Sequence, residues 1–324
     1  MIRLDFIIKK IGQFLLTLYA VATFNFLLFR ILPGDPIRLM RRAGRLSPEA
    51  VARLQEVFGL DKPLGVQYLY YLRNLATGEL GISLTYRRPV IEILQERFTN
   101  TLILLTAATV LVLLLGVGAG VVAAARRGTS TDRSLVVTSL IFWSLPTFWT
   151  GLILVIIFGV YLQMVPISGV TTPGAEFSST WEYLIDLGKH LILPTITLAI
   201  VDMGQFMLIT RSTLVDVLTE DYILTAKAKG LSFNRRLWSH GVPNALLPII
   251  TTTALYVSLV IGGAIQVEAI FSWPGMGRLM YDAVLRRDYP ILEASFFIFA
   301  ATIILANFLS DILYMVLDPR VREA

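Results

Sequence analysis

The sequence predicts an all-α polytopic membrane protein with six transmembrane helices and both termini in the cytoplasm. Three observations carry that prediction. The first is composition: of 324 residues, 55% are hydrophobic and only 16% charged, and the mean hydropathy is +0.69. Soluble domains are not that apolar. The second is segmentation, because apolar runs long enough to cross a bilayer as helices alternate with polar stretches. The third is charge. Short segments read as inside hold Arg3, Lys9, Lys10, Arg126, Arg127, Arg133, Lys227, Lys229, Arg235, Arg236, Arg320 and Arg322, whereas short outside loops hold only Lys189, Arg278, Arg286 and Arg287. Positive charge on the cytoplasmic side fixes the orientation.

The same inventory excludes several functions. The net charge of +5 reads as basic cytoplasmic loops rather than a nucleic-acid surface. The absence of cysteine excludes disulfides, cysteine nucleophiles and thiolate metal sites. His190 and His240 are well separated, and no HExxH occurs, so no metal is expected on this chain. No base stands in a recognisable relation to Ser168, and no paired aspartates suggest an intramembrane hydrolase. The chain also lacks the G-x-x-x-x-G-K-[ST] phosphate loop, so it is not expected to hydrolyse ATP or to bind a cofactor itself.

The chain divides into four parts: a first helix (1–32), an extracytoplasmic helical region (33–98), a five-helix core (99–317) and a tail (318–324). The apolar run ending at Leu32 is longer than a signal-peptide core and has no small-residue cleavage site, so it reads as an uncleaved span. Leu32-Pro33-Gly34-Asp35-Pro36 ends it, because two prolines and a glycine cannot continue a helix. Ser47-Pro48-Glu49 starts a short helix with Val51, Leu54 and Phe58 on one face and Gly59 as its stop. A second short helix is predicted from Val66 to Thr77, closed by Gly78. The region reads either as a cap on the rim of the bundle or as a platform for a partner outside the membrane.

The second span is predicted from Asn100 to Ala125, with Gly116, Gly118 and Gly120 allowing close approach of a neighbouring helix. The third runs from Leu135 to Leu162, kinked at Ser144-Leu145-Pro146. An outer loop from Pro166 to Lys189 leads to the fourth, from His190 to Arg211. That span carries Asp202 and Gln205 near mid-depth, three residues apart and on one helix face. A carboxylate there costs roughly 2.5–3.5 kcal/mol on insertion scales. Two readings stay open for the pair, a pore-facing role and a hydrogen-bonded place inside the bundle.

Residues 218–242 form a basic hairpin too polar to cross the membrane. Glu220, Asp221 and Tyr222 open its first helix, with negative charge where helix N–H groups are exposed. Thr225, Ala226, Lys227, Ala228 and Lys229 complete it, with the lysines in the last turn, and Gly230 stands at C′. Ser232 caps a second short helix that Gly241 and Pro243 are expected to end. Ala226 and Ala228 leave room for another backbone. The fifth span, Asn244 to Ala269 with Gly262-Gly263, leads into Glu268-Ala269-Ile270-Phe271-Ser272-Trp273-Pro274-Gly275-Met276-Gly277-Arg278-Leu279. That string reads as an outer-mouth loop broken by Pro274, Gly275 and Gly277 and marked by Phe271 and Trp273. The sixth span runs from Ile291 to Leu317, and Asp318-Pro319-Arg320-Val321-Arg322 closes the chain inside.

Several of these strings resemble one family. Thr225-Ala226-Lys227-Ala228-Lys229-Gly230, followed by His240, Asn244, Ala245 and Pro248, is similar to the cytoplasmic "EAA" loop of ABC-importer permeases in the dipeptide/oligopeptide/nickel branch. Leu32 to Pro36 resembles the branch's "LPGDP", Gly59 to Leu64 and Gly78 to Ser83 also look like it, and Glu268 to Leu279 resembles its "E-x-x-F-x-W-P-G-x-G-x-L". The resemblance extends from Leu32 to Arg320. It implies the type I importer permease fold and residence in the cell (inner) membrane. It also implies a role as half of a translocation path for di- or oligopeptides or similar small solutes. The expected partners are a second homologous permease, two ATP-binding subunits carrying ATP and Mg, an extracytoplasmic substrate-binding protein and the lipid bilayer, with no nucleic acid. The hairpin then couples to the ATPase. Two features depart from the family pattern: Gly241-Val242-Pro243 replaces an Ala-Leu-Arg type run, and Asp202 is a charge the pattern does not demand. The alternative reading is an ion-coupled secondary transporter using Asp202, although no inverted repeat is visible.

Overall fold

The computed structural model describes residues 4–31, 49 and 62–317. The LPGDP string, the helix expected after Ser47, the Gly59–Leu64 match (all but its last residues) and the Asp318–Arg322 tail lie outside them. The described residues are helical and form two compact units, one built on Leu102–Trp273 and the other on Arg3–Thr101 with Pro274–Phe308. Four helices among the described residues are long and apolar enough to cross a membrane, and a bent pair is a fifth candidate.

In the second unit, α1 (Leu4–Ile31) covers the predicted first span and α2 (Leu64–Thr77) the predicted short helix. Gly78, at φ 77°, ends α2 in the left-handed conformation that glycine adopts without penalty. Helix α3 (Val90–Ala125) begins ten residues before the expected Asn100. The reason is burial: Val90, Ile93 and Leu94 pack with Met276, Leu279, Ala283 and Ile291, an apolar face that continues the helix toward its N-terminus. The buried Asp288 carboxylate accepts from Ser83 Oγ at 2.7 Å and from the Thr85 N–H at 2.8 Å, fastening the turn that precedes α3.

In the first unit the predicted third span is two helices, α4 (Ser130–Ser144) and α5 (Thr147–Leu154), bent by 98°. The kink expected at Pro146 is thus a full corner. Proline supplies no N–H and pushes the preceding residue out of the helical region, and Leu145 is accordingly extended at ψ 134°. A π-helical stretch, Val155–Tyr161, completes the segment.

Helix α6 (Thr180–Val217) packs against α4, α5 and the later α9. It starts ten residues before the expected His190, which corrects the outer loop to an end at Ser179. Ser179 accepts from the Glu182 N–H at 3.2 Å, and the Glu182 carboxylate accepts from the Ser178 N–H at 2.9 Å. These two bonds launch the helix well before the apolar run. The loop is held to the added turns where Thr172 donates its N–H and hydroxyl to Asp186, at 2.7 and 2.8 Å.

The hairpin comprises α7 (Asp221–Ala228) and α8 (Phe233–Arg236). The expected stop at Gly241 and Pro243 does not occur. A π turn, Leu237–Gly241, leads directly into α9 (Val242–Ile270). Pro243 falls in the first turn of α9, directly after the π turn, and supplies no N–H to the continuous helical run. Helix α9 covers the predicted fifth span, and the side chains around Gly262-Gly263 lie outside the description. After it come α10 (Met276–Arg286), which begins inside the string read as a loop, and α11 (Tyr289–Leu317), which covers the predicted sixth span. The inward face of α10 is Met276, Leu279 and Ala283, a helical spacing hidden by the glycines around it.

Glycine permits α6 to approach its neighbours. A Cβ on Gly116 would stand 2.7 Å from Phe206 Cβ, one on Gly120 2.5 Å from Thr210 Cβ, and one on Gly204 2.5 Å from the Ser139 carbonyl oxygen. Gly118, between the first two in sequence, meets nothing within 4 Å. Gly120→Ala should therefore destabilise by about 1–3 kcal/mol. Gly118→Ala should be neutral or stabilising by up to about 1 kcal/mol, through helix propensity alone. Thermal midpoints of the solubilised variants check this contrast, and an equal loss for both would refute it.

Candidate functional site

The hairpin is built from a helix that stops sharply. The Gly230 N–H donates to the Lys227 carbonyl at 2.9 Å and the Leu231 N–H to the Ala226 carbonyl at 3.2 Å. These two bonds form a Schellman motif, which requires a left-handed residue at C′, and Gly230 stands there at φ 80°. Ser232 Oγ then accepts from the Arg235 N–H at 3.4 Å to begin α8. Glu220 is the N-cap residue rather than part of the first turn, and Asp221 supplies the first-turn charge. Lys227 lies in the last turn and Lys229 at the C-cap.

The two faces of α7 differ. Ile223 and Ala226 are buried, so Ala226 packs within the chain. Thr225, Lys227, Ala228 and Lys229 face outward. Thr225 spends its hydroxyl on the Asp221 carbonyl at 3.0 Å. Leu224 is 52% exposed and Trp238 61% exposed, and Tyr222 and Phe233 are also open to solvent. Partial burial, with Glu220 beside it, raises the Tyr222 phenol above its ordinary value, so it is a neutral hydroxyl at physiological pH. The hairpin thus offers apolar side chains among lysines and arginines on both sides of the Gly230 turn.

Behind the hairpin, Leu237 and Ala245 pack with Leu214, Val121 and Ala124. The C-terminal parts of α3 and α6 and the start of α9 meet in that cluster. Beside it, Arg211 on α6 grips Asp132 at the start of α4, with Nε to Oδ1 at 2.5 Å and Nη2 to Oδ2 at 2.8 Å. Asp132 also accepts from the Gly128 N–H at 2.9 Å. The carboxylate is nearly fully buried, and a two-pronged guanidinium contact is the geometry that suits such a group. Sequence reading placed Arg211 at the end of the fourth span but did not pair it with Asp132, 79 positions away.

Asp202 and Gln205 share a partly exposed face of α6. The Tyr256 hydroxyl of α9 donates to Asp202 Oδ2 at 2.7 Å, and the Tyr256 ring meets Phe206 edge-on with centroids 5.2 Å apart. Asp202 is thus hydrogen-bonded to a neighbouring helix and remains partly open.

The string after α9 is an anchor rather than a row of open aromatics. Phe271 and Trp273 are fully buried with Leu193, Leu198 and Val267. In the other unit, the Pro274 carbonyl accepts from Asn100 Nδ2 at 3.0 Å, and the Met276 N–H donates to Thr101 Oγ1 at 2.8 Å. Gly275 precedes α10 as its N-cap, and Gly277 lies buried in the first turn.

Comparison with known proteins assigns the family. The family model described as "Binding-protein-dependent transport system inner membrane component" matches residues 116–323, and its N-terminal companion matches residues 1–105. The di/tripeptide transport system permease protein DppB of Pseudomonas aeruginosa is 40% identical over 333 residues, covering 99% of each chain. The oligopeptide transport system permease protein AppB of Bacillus subtilis is 39% identical over 317 residues, covering 98% of each. The glutathione transport system permease protein GsiC of Escherichia coli is 38% identical, covering 98% of this chain and 99% of its own. Among solved structures, a chain of the inward-facing MetNI methionine ABC transporter shares the fold. Its TM-score is 0.56 and its identity 14%, over 70% of this chain and 97% of its own. The chain belongs to the inner-membrane permeases of binding-protein-dependent ABC importers, in the branch that holds the dipeptide and oligopeptide permeases.

Proposed function

We propose that this chain forms half of the translocation path of an ABC importer for di- or oligopeptides. A second homologous permease would complete the path, two ATPase subunits would drive it, and an extracytoplasmic binding protein would deliver cargo. The observation that carries the coupling role is the hairpin. Leu224, Trp238, Tyr222 and Phe233 stay exposed around a turn fixed by Gly230, and apolar side chains left open beside basic ones suit a protein partner. ATP and its Mg would sit on that partner.

Motion of the ATPase would enter at α7 and α8. It would pass through the π turn into α9, and through the Leu237–Leu214 cluster into α6 and α3. Packed helices moving as bodies would then expose the path to one side and the other. Asp202 and Gln205 would line that path, with Tyr256 holding the carboxylate in place. The ion-coupled alternative gains no support: the matching family model is that of binding-protein-dependent transport.

The decisive experiment isolates the membrane complex through this chain and measures ATP hydrolysis with and without peptide and binding protein. ATPase subunits should co-purify, and hydrolysis should rise with both additions. A complex without ATPase, with uptake that follows an ion gradient, would overturn the reading. A β-branched side chain at a left-handed C′ position costs about 1–2 kcal/mol or more locally. Gly230→Val should therefore lower stimulated hydrolysis and uptake at least tenfold, with the amount of inserted protein within twofold of wild type. Unchanged coupling would remove the hairpin from the mechanism. Asp202→Asn should alter the rate or preference among peptides by more than threefold without reducing assembly. Loss of assembled protein with normal transport per complex would assign Asp202 to packing instead.

A further inference from the structure

Asp202 is held by one of its two oxygens. The Tyr256 hydroxyl donates to Oδ2 at 2.7 Å, and Tyr256 is itself fixed, 5% exposed with its ring edge-on to the fully buried Phe206. Oδ1 has no hydrogen-bond partner among the described residues, and the side chain is partly open. Gln205, one turn further along α6, is partly open as well, and its carboxamide has no partner among the described residues. The same face continues through Ile209 to the exposed Ser212 and Asp216, so that five residues at intervals of three or four share one narrow wedge of the helix. All but Ile209 are polar. Such a stripe does not face hydrocarbon, because polar groups within a span turn to protein or to a water-filled path.

One neutral hydroxyl does not compensate a carboxylate away from bulk water, where a charge is retained when it is paired. No cation on the surrounding helices is placed to supply that pairing. On α6 itself, His190 stands twelve residues before Asp202 and Arg211 nine after, about 18 Å and about 14 Å along the axis. Arg211 moreover commits Nε and Nη2 to Asp132. Helices α5 and α9 carry no lysine or arginine, α3 has none after Arg97, and Arg133 of α4 lies in its first turn. No group of three acidic, histidine or cysteine side chains that could hold a metal ion occurs among the described residues. The chemistry therefore favours an organic cation over a metal ion as the partner of Oδ1.

We propose that Asp202 receives the amino-terminal ammonium group of the peptide cargo in transit, with Oδ1 as the acceptor and the Gln205 carboxamide on the adjoining peptide amide. Every unblocked peptide shares these two groups, whatever its side chains. A carboxylate and a carboxamide about 4.5 Å apart along the axis recognise that shared end and ignore the rest. Gln205 offers both a donor and an acceptor, as a backbone amide does. Recognition by a single oxygen is also weak enough to let the cargo leave, which a path requires. Tyr256 keeps the carboxylate aimed at the open face while the other oxygen is in use. This assignment rests on the reading that this face of α6 lines the path of a peptide importer.

The test is binding of dipeptides to the complete membrane complex in lipid nanodiscs, without the binding protein, followed by saturation-transfer NMR. The probes are alanyl-alanine and propionyl-alanine, which differ only in the ammonium group. Wild type should give a signal for alanyl-alanine at least fivefold above that for propionyl-alanine. Asp202→Asn should bring the two within twofold by lowering the alanyl-alanine signal alone, and Asp202→Glu, which keeps the charge, should retain at least half of the preference. Gln205→Leu should lower both signals at least threefold and leave the preference in place. If Asp202→Asn does not assemble, the wild-type comparison and Gln205→Leu decide. No alanyl-alanine signal in wild type, equal signals from the two probes, a preference that survives Asp202→Asn, or signals unchanged by Gln205→Leu overturns the proposal. Equal loss of both signals in Asp202→Asn assigns a structural role and overturns it as well. The readout needs no ATP hydrolysis, so its failure is distinct from failure of the importer reading, which the co-purification decides.

Discussion

The close approach of α6 to its neighbours is the constraint on which the first unit depends. Lipid offers helices little hydrophobic reason to associate, so contact area and geometry must supply it. Gly116 and Gly120 let α3 lie directly on Met203, Phe206 and Thr210, and Gly204 lets α4 lie on α6 at Ser139. Once those backbones touch, the other contacts fall into register. Arg211 comes within reach of Asp132, Tyr256 reaches Asp202, and Leu214 meets Leu237. The polar contacts are consequences of helix spacing as much as causes of it. Buried ion pairs contribute little net stability but penalise misaligned packing.

Much of this was legible in the sequence because membrane segments announce themselves by length and apolarity. The Gly230 stop was legible for a different reason: a lysine-rich last turn followed by glycine has one common structural solution, and the Schellman bonds are that solution. The errors were all at polar or mixed boundaries. Thr180–Lys189 was read as loop because it is less apolar than the span, yet Ser179 and Glu182 cap a helix there. Val90–Thr99 was missed for the same reason. Helix α10 was hidden by Pro274, Gly275 and Gly277 around its start, although Met276, Leu279 and Ala283 keep helical spacing. Pro146 was correctly seen as a disturbance, but a sequence does not state the angle. That depends on whether packing on either side favours a bend or a corner.

The candidate site was legible in its parts and illegible in its pairings. Asp202 stood out as a charge in an apolar run, but its partner Tyr256 is 54 residues away and belongs to a different span. Arg211 and Asp132 are likewise distant in the chain. Phe271 and Trp273 were read as features of an outer loop, whereas their complete burial makes them anchors that hold the end of α9. An aromatic beside proline and glycine is compatible with both, and only the surrounding Leu193 and Val267 decide it.

The π turn at Leu237–Gly241 gives the hairpin a fixed angular phase. Backbone runs helically from Phe233 to Ile270 with no loop between, so the direction in which Trp238 points is counted residue by residue from the membrane helix. Each residue is worth about 100° of rotation. A single deletion there would turn the apolar patch of the hairpin well away from its present direction while leaving every helix intact. Swapping such a segment between two permeases therefore preserves its aim only when the residue count is preserved. The composition of the segment is free to vary far more than its length.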